Sequence, residues 1–300
     1  MRPFFVTVTI VSLIFAFFWL KNFSNLQSKF NITPQVYGDL PKLYPYPMPT
    51  DNFQKPPPIS ARSAIVIDAK TGITLFEKDP DVRHLPASTT KLMTALVALE
   101  RCSVQTPVRV NNVEKEGTQM GLSQGDVVTI ETLIYGLLIS SGNDAAYALA
   151  YSCSDSYDHF VNSMNQKAKE LEMANTYFTN PAGFDDPEEY STARDLVKLA
   201  KVAVSNPLIS KIVAIASVNL TDISGQKTYY LENVNKLLGQ VEGIEGVKTG
   251  QTEGSLEILL TKTTRQSNTI IVAILGSLDR FGESKQLIEW AFANHHWLNP

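Results

Sequence analysis

The chain has 300 residues, 44% of them hydrophobic and 19% charged, and carries a net charge of −4. That is an ordinary globular composition with room for one large core or two lobes. Near-neutral charge without a basic run argues against nucleic acid as a partner.

Phe4 to Leu20 is an uncharged apolar stretch, with Arg2 before it and Lys21 after it. A spanning helix needs about 17–25 such residues, so this one is just long enough. A cleaved signal peptide is the rival reading, but no small-x-small site follows; the exit reads Phe18-Trp19-Leu20-Lys21-Asn22. The expectation is an uncleaved anchor over residues 1–20 with its amino terminus in the cytoplasm, although Lys21 and Lys29 leave the positive-inside bias slight. Residues 21–60 read as a tether. Eight of the sixteen prolines fall between Pro34 and Pro58, and such a segment favours extended polyproline conformations over packed elements.

The folded part is expected over 61–300. Ser63–Asp68 and Ile73–Glu77 are β-prone runs separated by Ala69-Lys70-Thr71-Gly72, a hairpin with its turn at a glycine. From Ser88 to about Ile223 apolar residues recur at helical spacing: Leu92, Ala95, Leu96, Leu99; then Leu133, Leu137, Leu138; then Leu196, Leu199, Ala200, Ala203. After Val241 the pattern returns to strands at Ile258–Thr261 and Ile270–Leu275, and a helix around Ser284–Phe292 closes the chain. Strands, then helices, then strands imply an α+β fold. Its antiparallel sheet is built from both ends of the domain (61–86 and 240–300) and carries an inserted all-helical lobe (87–235). Cys102 and Cys153, the two cysteines, each follow a predicted helix (Lys91–Arg101 and Asp144–Tyr151). A disulfide is the favoured reading, two small core residues the other, and spacing leaves both open. His84, His159, His295 and His296 are scattered, the last two in the polar C-terminal end, and no Cys/His spacing suggests a metal.

Three strings carry chemistry: Ser88-Thr89-Thr90-Lys91, Ser141-Gly142-Asn143 and Lys248-Thr249-Gly250. Each alone is weak, because the chain also contains Ser224–Lys227, Ser163–Asn165, Ser217–Asn219 and Lys70-Thr71-Gly72. Local context separates them. Pro86-Ala87-Ser88 leads straight into an apolar helix, which puts Ser88 at a helix N-terminus with Lys91 on the same face. Lys91 can take the serine proton only when neutral, which burial or a nearby cation would secure. Ser141-Gly142-Asn143 falls between two apolar helices, where Ser141 could relay a proton and Asn143 could hold a substrate amide and Lys91. Lys248-Thr249-Gly250 precedes the terminal strands; on an edge strand Lys248 supplies charge, Thr249 a hydroxyl, and Gly250 lets backbone approach. Lys70-Thr71-Gly72 reads as turn chemistry with its lysine in solvent, and Ser224–Lys227 as a loop.

The chain resembles the D-alanyl-D-alanine carboxypeptidases, the low-molecular-mass penicillin-binding proteins, over roughly residues 60–292. The resemblance rests on Pro86–Ala95, Ser140–Ala146, Asn180–Asp185, Tyr190–Leu196 and Gly243–Gly250, in order. It implies a β-lactamase/transpeptidase-like fold and serine acyl transfer on peptidoglycan stem peptides ending in D-Ala-D-Ala, with β-lactams as covalent inhibitors and no cofactor. By that resemblance Ser88 is the nucleophile, Lys91 the base and Ser141 the relay. The N–H groups of Ser88 and Gln251 form the oxyanion hole, and Lys248 and Thr249 with Arg280 hold the terminal carboxylate. Two departures stand out: Glu253-Gly254-Ser255 replaces the family's Ala-Gly pair, and Ala182 stands where a polar residue or histidine is usual. The chain ends near the family's catalytic-domain end, so the N-terminal segment is expected to anchor it to the cytoplasmic membrane, with the catalytic domain outside in the bacterial envelope. Two rival functions are a class A-like β-lactamase and a catalytically silent wall-binding protein. The first lacks its Glu-x-x-Leu-Asn string here, though Asp185, Asp186, Glu188 and Glu189 supply carboxylates. The intact serines and lysines argue against the second.

Overall fold

A computed structural model describes residues 45–298. In chain order its strands are β1 (Tyr46–Pro49), β2 (Ser63–Asp68), β3 (Thr74–Lys78), β4 (Pro107–Arg109), β5 (Val127–Thr129), β6 (Ser217–Thr221), β7 (Thr228–Glu232), β8 (Ile244–Thr252), β9 (Leu256–Arg265), β10 (Asn268–Ser277) and β11 (His295–Leu298). Its α-helices are α1 (Lys91–Arg101), α2 (Ile130–Leu138), α3 (Asn143–Ser152), α4 (Tyr157–Glu170), α5 (Ala193–Ser205), α6 (Pro207–Val213) and α7 (Arg280–Asn294). A single 3-10 turn, Ala87–Thr90, runs directly into α1.

Every residue of β2 is buried, so this strand has to be covered on both faces. It lies in a five-stranded antiparallel sheet ordered β3-β2-β10-β9-β8, with one part from before the helical region and the rest from after it. The two-residue period of the strands sorts the covering layers. Ala64, Val66, Ile270, Val272 and Ile274 face Leu287, Ile288 and Ala291 of α7. Ile65, Ile67, Ile271, Ala273 and Leu275 face the other way, into the larger core built with the helices between Lys91 and Val213. β8 is left at the sheet edge, beside the 3-10 turn, and that juxtaposition makes the cleft.

Three expectations need correction. The inserted lobe is not all-helical: β4 pairs with β5 and β6 with β7, short ribbons whose alternating burial has the period of a strand. The last part of the expected tether, residues 45–60, is packed rather than free. β1 pairs with β11, Thr50 N–H donates to the Asn294 carbonyl at 2.9 Å, Trp290 Nε1 donates to the Gln54 carbonyl at 2.8 Å, and Phe53 stands edge-on to Trp290. Prolines at alternate positions suit an edge strand, whose outward N–H groups have no ladder partner, so proline content did not preclude docking. His295, expected in a polar tail, is buried, with Nδ1 2.9 Å from the Ala291 carbonyl. The expected membrane segment and the earlier tether lie outside the described residues. Among the described residues no helix is long and apolar enough to cross a membrane. The sulfurs of Cys102 and Cys153 are bonded, tying the end of α1 to the end of α3 with Cα atoms 5.6 Å apart.

Candidate active site

Ser88 sits in the 3-10 turn and is half-buried, while Pro86, Ala87, Thr89, Thr90 and Lys91 around it are buried. Three residues of helical chain return Lys91 to the same side. Its Nζ lies 2.9 Å from Ser88 Oγ, the distance at which a neutral amine accepts a hydroxyl proton, and 2.6 Å from the Ala182 carbonyl oxygen. The Lys91 side chain is fully buried. That burial, with the positive charge of Lys248 nearby, holds its ammonium well below the usual lysine range, against the opposing pull of Glu189 and Asp144. Ala182 makes this contact through its backbone carbonyl, so the bond does not depend on the side chain at that position.

Ser141 lies in the loop between α2 and α3 with φ +62°, a left-handed conformation uncommon outside glycine and one that turns its hydroxyl into the interior. Lys248, from edge strand β8, donates to Ser141 Oγ at 2.8 Å and to the Thr249 carbonyl at 3.0 Å. Burial, then the charge of Arg280, pushes Lys248 down to about 7. The two amine–hydroxyl pairs, Lys91 with Ser88 and Lys248 with Ser141, come from three separate stretches of chain. No direct hydrogen bond joins Ser141 to Lys91.

Asn143 begins α3, but the expected contact with Lys91 is not made. Its Nδ2 donates to the Glu116 carbonyl at 2.9 Å and its N–H to the Thr118 carbonyl at 2.7 Å. The cause is Asp144, whose buried carboxylate accepts from the N–H groups of Met120, Gly121 and Leu122 at 2.9–3.0 Å and draws residues 116–122 against the loop. Thr249 is buried and Gln251 exposed, at alternate positions of the β8 edge with Gly250 between them. Gly250 is there for space: a Cβ would stand 3.1 Å from Ala87 Cβ and 3.3 Å from both the Pro86 carbonyl oxygen and Ser88 N. Arg280, the first residue of α7, reaches the strand rather than the cleft in this state. Its Nη1 donates to the Gly250 carbonyl at 2.8 Å, while its Nε is buried without a partner. The unusual Glu253-Gly254-Ser255 forms a tight turn in which Thr252 and Ser255 exchange hydroxyl–amide bonds and Gly254 N–H donates to Asp185.

The decoy strings land elsewhere. Lys70 is exposed beside the hairpin turn, and Ser224 and Lys227 lie in the turn of the β6–β7 ribbon, with Lys227 paired to Asp126. Ser163 and Asn165 are on α4, and Ser217 and Asn219 on β6. Sequence reasoning missed the supports: Asp144, Asn180, Glu189 and Thr90. Asp144 had a signal in its polarity just ahead of Ala145-Ala146, whereas Glu189 sits in a polar run and Thr90 inside the serine–lysine string, where nothing local marks them as supports.

Comparison with known proteins agrees with this arrangement. The family described as D-alanyl-D-alanine carboxypeptidase matches residues 50–278. The D-alanyl-D-alanine carboxypeptidase DacF of Bacillus subtilis is 33% identical over 246 residues, covering 78% of this chain and 63% of that protein. The D-alanyl-D-alanine carboxypeptidase DacB2 of Mycobacterium tuberculosis is 33% identical over 250 residues, 80% of this chain and 84% of that one. The crystal structure of a Streptomyces DD-transpeptidase superposes with a TM-score of 0.75 at 31% identity, covering 80% of this chain and all of that one. The chain thus spans just under two thirds of the first of these relatives and most of the other two, and it belongs to the D-alanyl-D-alanine carboxypeptidase family.

Proposed function

We propose that the chain is a serine-type D-Ala-D-Ala carboxypeptidase acting on peptidoglycan stem peptides. The observation that carries this reading is the buried Lys91 amine 2.9 Å from Ser88 Oγ at the open edge of β8. Ser88 gives its proton to Lys91 as Oγ attacks the carbonyl of the penultimate D-alanine. The N–H groups of Ser88 and Gln251 receive the oxyanion, each such donor being worth about 3–4 kcal/mol. When the C–N bond breaks, the departing D-alanine takes a proton delivered through Ser141, which Lys248 orients. Lys248 and Thr249 hold the terminal carboxylate, Asn143 the substrate amide, and Arg280 stiffens the strand at Gly250 while adding positive charge. Water then attacks the ester and releases the shortened peptide. A β-lactam opens on Ser88 by the same first step and stays. The apolar Phe4–Leu20 segment supports an N-terminal membrane anchor, and Pro34 and Pro41 after it a spacer, with the enzyme facing the cell wall.

Mass spectrometry of a defined pentapeptide incubated with the intact chain and with Ser88→Ala tests the reaction. The intact chain releases one D-alanine and the variant none; equal release by both refutes the assignment. Rapid penicillin hydrolysis in place of a lasting adduct would point to a β-lactamase. Membrane fractionation tests the anchor, and a fully soluble exported protein would exclude it.

A further inference from the structure

Among the buried acids that the acyl transfer above leaves unused, one supports the Ser88–Lys91 segment directly. Glu189 is 2% exposed, and its two oxygens go to two different supports of the nucleophile. Oε1 accepts from Thr90 Oγ1 at 3.1 Å, and Oε2 accepts from Asn180 Nδ2 at 3.0 Å. Thr90 immediately precedes Lys91, and its hydroxyl goes to Glu189 instead of capping an amide of α1. Asn180 Oδ1 collects the N–H groups of Ala182, Gly183 and Phe184 at 2.7–3.1 Å. That turn supplies the Ala182 carbonyl to Lys91 and the Pro181 carbonyl to Thr94. It also presses on the nucleophile segment: a Cβ at Gly183 would stand 1.9 Å from the Ala87 carbonyl oxygen. One carboxyl group therefore fastens both sides of the Lys91 amine.

The charged and titratable groups around it come from several elements. Lys91 on α1 favours its ionised form and Asp186 on its own loop opposes it. Tyr157 on α4 feels its charge. Arg83, His84, Asp185 and Asp186 line the same cavity of about 570 Å³. Lys248 and Asp144 act on Lys91 from the far side.

We infer that Glu189 is a positioning residue for the Ser88–Lys91 pair, fixing it through Thr90 and Asn180 and sharing a single proton with Lys91 as a coupled buried acid and base. Between the fully protonated and fully deprotonated states, the couple holds one proton. With that proton on Glu189, Lys91 is a free amine and can accept from Ser88. With it on Lys91, the ammonium has no lone pair with which to accept from Ser88. Burial, which pushes the Glu189 carboxyl up to about 8 and the Lys91 ammonium well below its ordinary value, favours the active arrangement.

This inference rests on Ser88 and Lys91 acting as proposed, and the test separates the two. The rate of acylation by a fluorescent penicillin is followed from acid to alkaline pH for the intact chain, Glu189→Gln and Thr90→Val, with a melting curve for each. Glu189→Gln removes the carboxylate charge that favours the Lys91 ammonium, so the acid limb of the profile moves toward lower pH by about one unit. Thr90→Val removes a donor that favours the ionised carboxyl and moves the limb the same way by less, which decides the matter if Glu189→Gln does not fold. An acid limb that stays in place in the folded variants, with or without a lower melting temperature or a slower plateau, makes Glu189 mere scaffolding and overturns the inference. An intact chain that never labels strikes instead at the role of Ser88.

Discussion

Lys70-Thr71-Gly72 and Lys248-Thr249-Gly250 are the same three residues in two places, and the contrast shows what converts a string into a site. The first closes a hairpin: Thr71 bonds to Asp68 through its N–H and hydroxyl at 2.7 and 2.6 Å, Gly72 takes φ +77° with nothing near its missing side chain, and Lys70 is exposed. The second lies along an edge strand, with Lys248 1% exposed against Ser141 and Gly250 pressed to the Ser88 backbone. Water reaches the first ammonium, which donates to the Ser267 carbonyl at 3.1 Å. Exclusion of water from the second, beside Arg280, brings it to about 7 and makes it responsive at neutral pH. The two serine–lysine strings divide the same way, one on a buried helical turn and one in a ribbon turn.

Breaking the buried member of each pair should cost far more than breaking its exposed twin. Lys91→Met removes the base and slows acylation by about 10²–10⁴-fold. Lys227→Met, in the second serine–lysine string, loses only a partly exposed ion pair to Asp126 and leaves acylation unchanged, with about 1 kcal/mol or less of stability at stake. Lys248→Gln lowers kcat/KM for carboxylate-bearing substrates by about 10²-fold, whereas Lys70→Gln leaves it alone. A buried lysine whose ammonium is held down also opposes folding at neutral pH, so Lys248→Gln should hold or raise the melting temperature while it destroys binding. Equal losses at the two lysines would erase the distinction.

The pH dependence sharpens it further. Lys248 binds an anion only when protonated and sits at about 7, so affinity for the substrate carboxylate weakens as pH rises through that region. In stability terms the sign is opposite. The unfolded lysine keeps its proton up to about 10.4, so the folded state gains stability as pH rises from about 7 toward that value. Steady-state KM and chemical unfolding measured across neutrality check both slopes. The smallest effect separates the glycines. Gly250→Ala crowds Ser88 N and slows acylation by about tenfold with little change in melting. Gly72→Ala meets open space but a left-handed backbone, and costs about 1 kcal/mol of stability without touching the reaction.

Much of this was legible because the informative signals are local. The Ser63–Asp68 strand, the Lys91–Arg101 helix and the order of the three strings follow from periodicity, turn residues and short motifs, and the resemblance to a known family joined them into one cleft. The illegible part is long-range. Nothing near Asp144 in the sequence announces three amides from residues 120–122, and nothing near Glu189 announces Thr90, ninety-nine residues away. Asn143 was assigned to Lys91 because the loop that captures its amide leaves no periodic trace. The docked residues 45–60 escaped notice because proline content speaks to backbone conformation and says little about what Trp290 and Asn294 offer it.

The central claim is that burial at the β8 edge selects one serine out of several matching strings. Digestion and peptide mapping of the intact chain after reaction with a labelled penicillin tests it most directly. The account predicts all of the label on the peptide containing Ser88 and none on the peptide containing Ser224. Label on Ser224, or a folded chain that takes up no label at all, would contradict it.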